Sequence, residues 1–176
     1  MTTGDRAILI LMENGFEDME LMYPLYRLRE AGYRTIAAAP KAGQTYQGKH
    51  GYPWVSDAAI DDIEEKDFAG IILPGGWCPD KLRRAAKVKD LIAAFDRSQK
   101  LVAAICHGGW MAISAGVYRG VRVTGSLGIK DDLENAGAIF ESAPVVIDRH
   151  FVSSRNPDDL PAFMQGVLGV LSNTRT

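Results

Sequence analysis

The sequence predicts an α/β fold: a mainly parallel sheet covered by helices on both faces. Three observations carry that expectation. Continuous apolar runs of strand length recur at residues 7–12, 33–39, 69–73 and 101–105. Segments with helical spacing separate them. The runs show no polar alternation, so each strand has two faces to cover, as in parallel sheets rather than sheets with one face in water.

Each element has its own signal. Residues 7–12 are aliphatic and end at Asn14-Gly15. Residues 17–31 read as a helix, with Met22, Leu25 and Tyr26 on the expected buried face and Gly32 as its stop. Pro24 lies inside it and predicts a kink or a late start. Residues 33–39 form a strand ended by Pro40. The turn-rich stretch 41–56 fits a small hairpin, and 60–65 is a short acidic piece. Strand 69–73 stops at Pro74-Gly75-Gly76. Helices are expected at 80–85 and 87–98, a strand at 101–105, and a buried helix of small and apolar residues at 107–115. A short strand at 120–124 and a short helix at 130–136 follow. Residues 145–147 and 151–153 read as a β pair turning at Asp148-Arg149. Asn156 opens the last helix, with Pro157 first and Asp158 and Asp159 in its first turn. No linker, repeat or low-complexity tract interrupts residues 1–176, so one domain is expected.

Composition excludes several classes. Twenty Lys and Arg against 22 Asp and Glu give a net charge of −2, which offers no basic footprint for nucleic acid. Two cysteines make neither a disulfide scaffold nor a four-ligand zinc cluster. The apolar runs fall far short of the roughly 20 residues of a membrane span. Residues 1–6 lead into the first strand without a secretion signal. A soluble cytoplasmic protein without metal or cofactor is expected.

The strongest chemical signal is Ala104-Ile105-Cys106-His107-Gly108-Gly109. An aliphatic strand ends on a cysteine, small residues follow, and a helix begins: the context of a nucleophile elbow. A helix N-terminus favours thiolate, so Cys106 is expected to be the more reactive of the two cysteines. A buried inert thiol would fit the same composition. Pro74-Gly75-Gly76 ends another strand, where Gly75 and Gly76 could expose amides as an oxyanion hole. Glu17 and Asp18 suit a first helical turn as dipole partners. Glu20 stands apart among Met19, Leu21 and Met22, where a carboxyl would have a raised pKa and could donate a hydrogen bond. His107 adjoins Cys106, but neighbouring elbow side chains usually diverge, so its backbone N–H is the expected contributor. His50 and His150 read as solvated loop residues, no histidine pair has metal spacing, and Cys78 reads as structural.

Taken together, Gly15-Phe16-Glu17-Asp18-Met19-Glu20, Gly48-Lys49-His50-Gly51, Pro74-Gly75-Gly76, Ala104-Ile105-Cys106-His107-Gly108, Gly128-Ile129-Lys130-Asp131-Asp132, Asn135-Ala136-Gly137 and Ser153-Ser154-Arg155 resemble the PfpI branch of the ThiJ/PfpI superfamily over nearly the whole chain. The resemblance implies a flavodoxin-like three-layer sandwich, similar to class I glutamine amidotransferases. It implies Cys106 as nucleophile, Glu20 as its carboxyl partner, and oxyanion donors near Gly75, Gly76 and His107. It also implies an acid reaching His107 from a neighbouring subunit, at the position of Asp80, where a relative carries Glu. Ser126 stands where relatives place Tyr or His, and Gly109 where many place Pro. His150 is followed by Phe151-Val152, so the His–x–Glu pair of a glutamine hydrolase is absent.

The activity so implied is a cysteine-dependent hydrolase or hydratase of methylglyoxal, glyoxal or their protein adducts. A PfpI-type peptidase using Cys106, His107 and Asp80 is the second reading, and a non-enzymatic redox sensor or chaperone the third. The expected partners are a small carbonyl substrate or a damaged protein, and further copies of the chain as a homodimer or hexamer, with Trp77 partly exposed beside Asp80.

Overall fold

A seven-stranded sheet organises residues 7–173, the part of the chain that the computed structural model describes. Residues 1–6, read above as carrying no secretion signal, lie outside them. The strands are β1 (Ala7–Leu11), β2 (Arg34–Ala39), β3 (Thr45–Gln47), β4 (Pro53–Val55), β5 (Ala58–Ala59), β6 (Phe68–Leu73), β7 (Leu101–Ile105), β8 (Arg122–Val123), β9 (Ile139–Phe140), β10 (Val145–Asp148) and β11 (Phe151–Ser154). The helices are α1 (Asp18–Glu30), α2 (Cys78–Leu82), α3 (Ala86–Arg97), α4 (Gly109–Ser114), α5 (Lys130–Asn135) and α6 (Leu160–Asn173). The main sheet runs β10-β11-β7-β6-β1-β2-β5. Every pairing in it is parallel except β10 with β11.

The continuous apolar runs have the expected cause. Every residue of β1 and β7 is buried. The chain leaves β1 toward β2 on one side and later returns to β6 on the other. Right-handed crossovers therefore put α1 and α3 on opposite faces. Helix α6 packs against α1, and α4 packs against α3. The reversal of direction between β1 and β6 opens a crevice beyond their C-terminal ends, the usual ligand position in open α/β sheets.

Several local expectations change. Helix α1 starts at Asp18 and passes Pro24 without interruption. Its buried apolar face is Leu21, Pro24, Leu25 and Leu28, while Tyr26 is exposed and Met22 half-buried. The helix is rotated because Glu20, not an apolar neighbour, turns fully inward. The strand expected at 120–124 shortens to β8, which pairs with the unexpected β9 in a separate two-stranded sheet. The helix expected from 107 begins at Gly109, after a tight turn through Cys106–Gly108. The hairpin β3–β4 and the β10–β11 pair form as anticipated. Asn156 Oδ1 accepts the Asp158 N–H at 3.0 Å and caps the turn that leads into α6.

Leu9 lies in β1, between Ile36 of β2 and Ile71 of β6, with no exposed surface. Leu9→Ala should lower the unfolding free energy by about 2–5 kcal/mol. Urea titration should show an earlier midpoint at unchanged slope.

Candidate active site

The segments that leave β1, β3 and β6 are stitched into one rim. Phe16 bridges Gly48 in parallel and Gly76 in antiparallel fashion. The Trp77 N–H donates to Gly15 O at 2.7 Å, the Glu17 N–H to Gly75 O at 3.1 Å, and the Lys49 N–H to Phe16 O at 2.6 Å. Asp18 accepts the His50 and Tyr52 N–H groups, each at 2.9 Å. This approach needs Gly76, whose φ is +80° and where a Cβ would lie 2.4 Å from Gly15 O.

Cys106 ends β7 with φ +59°, in the left-handed region that a side chain normally avoids. That conformation lifts its thiol off the end of the sheet, and the flanking glycines make room. A Cβ on Gly108 would fall 2.0 Å from Leu73 O. On Gly75 it would fall 2.7 Å from Glu20 Oε2, 2.8 Å from the Cys106 Cβ and 2.9 Å from the His107 N. Gly75 is thus the point where the carboxyl, the thiol and the elbow amide meet.

Glu20 has no exposed surface, and its Oε2 accepts the Gly75 N–H at 2.6 Å. Burial pushes its pKa up to about 8, the Glu17 charge adds to that, and the Gly75 amide, the Cys106 thiol and Lys49 pull it down. Glu20 is therefore mostly protonated at pH 7. Gly75 holds Oε2 as an acceptor, so the proton belongs on Oε1, which is buried and has no other hydrogen-bond partner among the described residues. The Gly75 amide, expected as an oxyanion donor, is occupied by Glu20. The backbone amides that face the Cys106 sulfur are those of Gly76 and His107.

Burial and then Glu20 raise the Cys106 thiol to about 12, against the lowering by the His107 and Gly76 amides. Both effects oppose the thiolate expected from a helix N-terminus. Cys78 is fully buried, burial likewise pushes its thiol up, and its Sγ donates to Gly75 O at 3.5 Å. Cys106 is the accessible thiol of the two.

His107 does not diverge from Cys106: its Nδ1 lies 3.2 Å from the sulfur. Its ring packs edge-on against Trp110, with centroids 5.0 Å apart. Burial and then Lys49 lower its pKa, so the ring is neutral and can take the thiol proton. Asp80 pairs instead with Arg84 one turn along the chain and is exposed. Trp77 beside it is 61% exposed. His150 is buried, not solvated, because its Nε2 meets Asp96 Oδ1 at 2.9 Å under α3. Ser126 leaves the elbow side open: its N–H donates to Cys106 O at 3.3 Å and its Oγ accepts the Gly128 N–H at 3.3 Å.

Sequence spacing offers no metal set, but folding brings Glu17, Asp18 and His50 within 4.8 Å of one another. Their oxygens are already engaged. Glu17 Oε2 accepts the Met19 and Glu20 N–H groups at 2.8 and 3.1 Å, and Asp18 holds the 48–52 loop. Sequence reasoning passed over Lys49, whose charge reaches both Glu20 and His107. Its only signal was its place beside His50 in a glycine-bounded turn.

A model of the DJ-1/PfpI family matches residues 6–169. Over 164 residues the chain is 42% identical to the deglycase TK1284 of Thermococcus kodakarensis, a match covering 93% of this chain and 98% of the relative. It is 39% identical over 166 residues to the putative cysteine protease YraA of Bacillus subtilis, covering 94% and 98%. The crystal structure of a ThiJ/PfpI domain protein from Brachyspira murdochii superposes with a TM-score of 0.91 at 23% identity, covering 98% of this chain and 99% of that one, and shares the flavodoxin-like fold. No helix among the described residues is long and apolar enough to cross a membrane.

The Glu20 shift sets a pH dependence. Its folded pKa of about 8 exceeds the ordinary 4.5, so the folded state holds a proton that the unfolded state has lost between those values. Wild-type stability should therefore fall as pH rises from about 4.5 through about 8. Glu20→Gln should remove that slope, read by urea denaturation at several pH values. Above about pH 8 the ionised Glu20 opposes the thiolate, so the variant should also alkylate faster there.

Proposed function

The chain belongs to the DJ-1/PfpI family, and from that premise we propose that it is a cysteine-dependent enzyme acting on methylglyoxal, glyoxal or their early protein adducts. The observation that carries this reading is the trio at the elbow: a thiol at φ +59°, the buried Glu20 carboxyl beside it, and His107 with Nδ1 3.2 Å from the sulfur. Such a trio suits addition to a carbonyl, which needs a proton removed from sulfur and one delivered to oxygen. The relatives named deglycase support the substrate class.

For methylglyoxal, Sγ bonds to the aldehyde carbon as the carbonyl π bond opens. The thiol proton passes to His107 Nδ1, and the oxygen takes the Glu20 Oε1 proton. The amides of Gly76 and His107 stabilise negative charge beside the sulfur. Glu20, now a carboxylate, removes the proton from the former aldehyde carbon, while His107 protonates the neighbouring oxygen to give an enediol. Tautomerisation yields the thioester of a 2-hydroxy acid. Water cleaves it and restores the thiol. The sum is methylglyoxal plus water to lactate, with no oxidant or reductant.

Peptide hydrolysis is the second reading, favoured by the direct Cys106–His107 contact and by a relative named putative cysteine protease. It would require Asp80 of one subunit to exchange Arg84 for the His107 of another. A homodimer or hexamer is part of this proposal, and Trp77 is the exposed aromatic that such a contact would cover.

Cys106→Ser should reduce steady-state methylglyoxal turnover by roughly 100-fold or more, while Asp80→Ala should hold it within about twofold. Peptidase activity lost in Asp80→Ala, with Glu20→Gln silent, would favour the intersubunit triad. A single burst without turnover would favour a redox sensor. Separately, limiting peroxide should add oxygen to Cys106 before Cys78, as read by peptide mass spectrometry.

A further inference from the structure

The rim of the Cys106 pocket holds a cation that the steps above do not use. Phe16 bridges Gly48 on one side and Gly76 on the other, and Lys49 is fixed by its N–H to Phe16 O at 2.6 Å. From there the Lys49 side chain crosses to the far segment, where its Nζ stands 5.2 Å from the centre of the Trp77 ring. Trp77 directly follows Gly76, whose amide faces the sulfur. An indole face holds an ammonium in place without neutralising it.

That charge is unspent. Among the described residues the Lys49 ammonium makes no ion pair. Glu13 accepts the Asn14 N–H at 2.6 Å, and the other acids beside it are committed as well. Glu17 caps α1 and lies 3.4 Å from His50 Nε2, Asp18 holds two loop amides, and Glu20 is protonated. The influence of Lys49 on both Glu20 and His107 puts it within electrostatic reach of the groups on either side of the thiol.

We propose that Lys49 selects carbonyl substrates that carry a carboxylate next to the reacting carbon, so that the pocket takes 2-oxo acids of the glyoxylate type. The inference rests on the reading of Cys106 as carbonyl nucleophile and names the substrate feature recognised beside it. In the adduct Sγ bonds to the carbonyl carbon, the π bond opens, the thiol proton goes to His107 Nδ1, and the oxygen takes the Glu20 proton. The carboxylate keeps its charge, paired with Lys49. A neutral dicarbonyl makes the same adduct without that pairing.

Alkylation tests this without requiring turnover. Iodoacetate and iodoacetamide differ chiefly in charge, so the ratio of their rates at Cys106 cancels changes in the thiol itself. At low ionic strength, Lys49→Gln should lower that ratio roughly threefold or more, and Lys49→Arg should keep it. Added salt should lower the ratio in wild type. Glyoxylate should protect Cys106 from iodoacetamide in wild type at concentrations that fail in Lys49→Gln, while glyoxal protects both alike. The Lys49 side chain is exposed and its fold contact is made by the backbone, so the variant should fold. Equal ratios in wild type and Lys49→Gln, with Cys106 reacting normally, would overturn the inference and leave the nucleophile intact. No alkylation of Cys106 by either reagent would overturn the nucleophile reading and the inference with it.

Discussion

The hydrogen bond from the Gly75 amide to Glu20 Oε2 is the contact on which the site depends. It joins the first turn of α1 to the end of β6, and the Cys106 elbow closes over the same point. A carboxylate buried there would be costly. The chain meets that cost by keeping the proton, and this decides the character of the site. Burial favours the neutral forms of Glu20, His107 and the thiol alike. Because the Gly75 amide is committed, the amides left facing the sulfur are those of Gly76 and His107.

The glycines around this bond serve a spatial condition more than a conformational one. Gly75 and Gly108 adopt ordinary backbone angles, yet a Cβ at either would enter the carboxyl–thiol contact or the Leu73 carbonyl. The strain stored at Cys106, on the order of 1–2 kcal/mol for a left-handed residue, is sustained because β7 and these close approaches leave the turn no alternative.

Much of this was legible in the sequence, for identifiable reasons. Buried parallel strands write themselves as unbroken aliphatic runs, so β1, β6 and β7 and the convergence of their ends could be read directly. The elbow and the isolation of Glu20 among apolar neighbours are local patterns too. What escaped depends on contacts between distant segments. Tyr26 has the right helical spacing to be buried, but an inward Glu20 turns the helix toward Leu21, Leu25 and Leu28. His150 looks like a turn residue until Asp96, 54 positions earlier, is placed beside it. The His107 ring swings back to the sulfur because Trp110 packs on its other side. Lys49 becomes part of the pocket only through the double pairing of Phe16.

The resting protonation state also bears on which electrophiles the site can take. A free thiolate reacts with any accessible electrophile, oxidants included. Here the thiol is held neutral by burial, and becomes nucleophilic as its proton moves to His107 Nδ1. That transfer is favoured most when the electrophile itself needs a proton in return, which Glu20 is placed to give. A carbonyl meets this condition because its oxygen becomes an alkoxide as the carbon–sulfur bond forms. On the proposed reading the proton donor is the same buried carboxyl that holds α1 to β6, so the groups that build this end of the fold also set its chemistry.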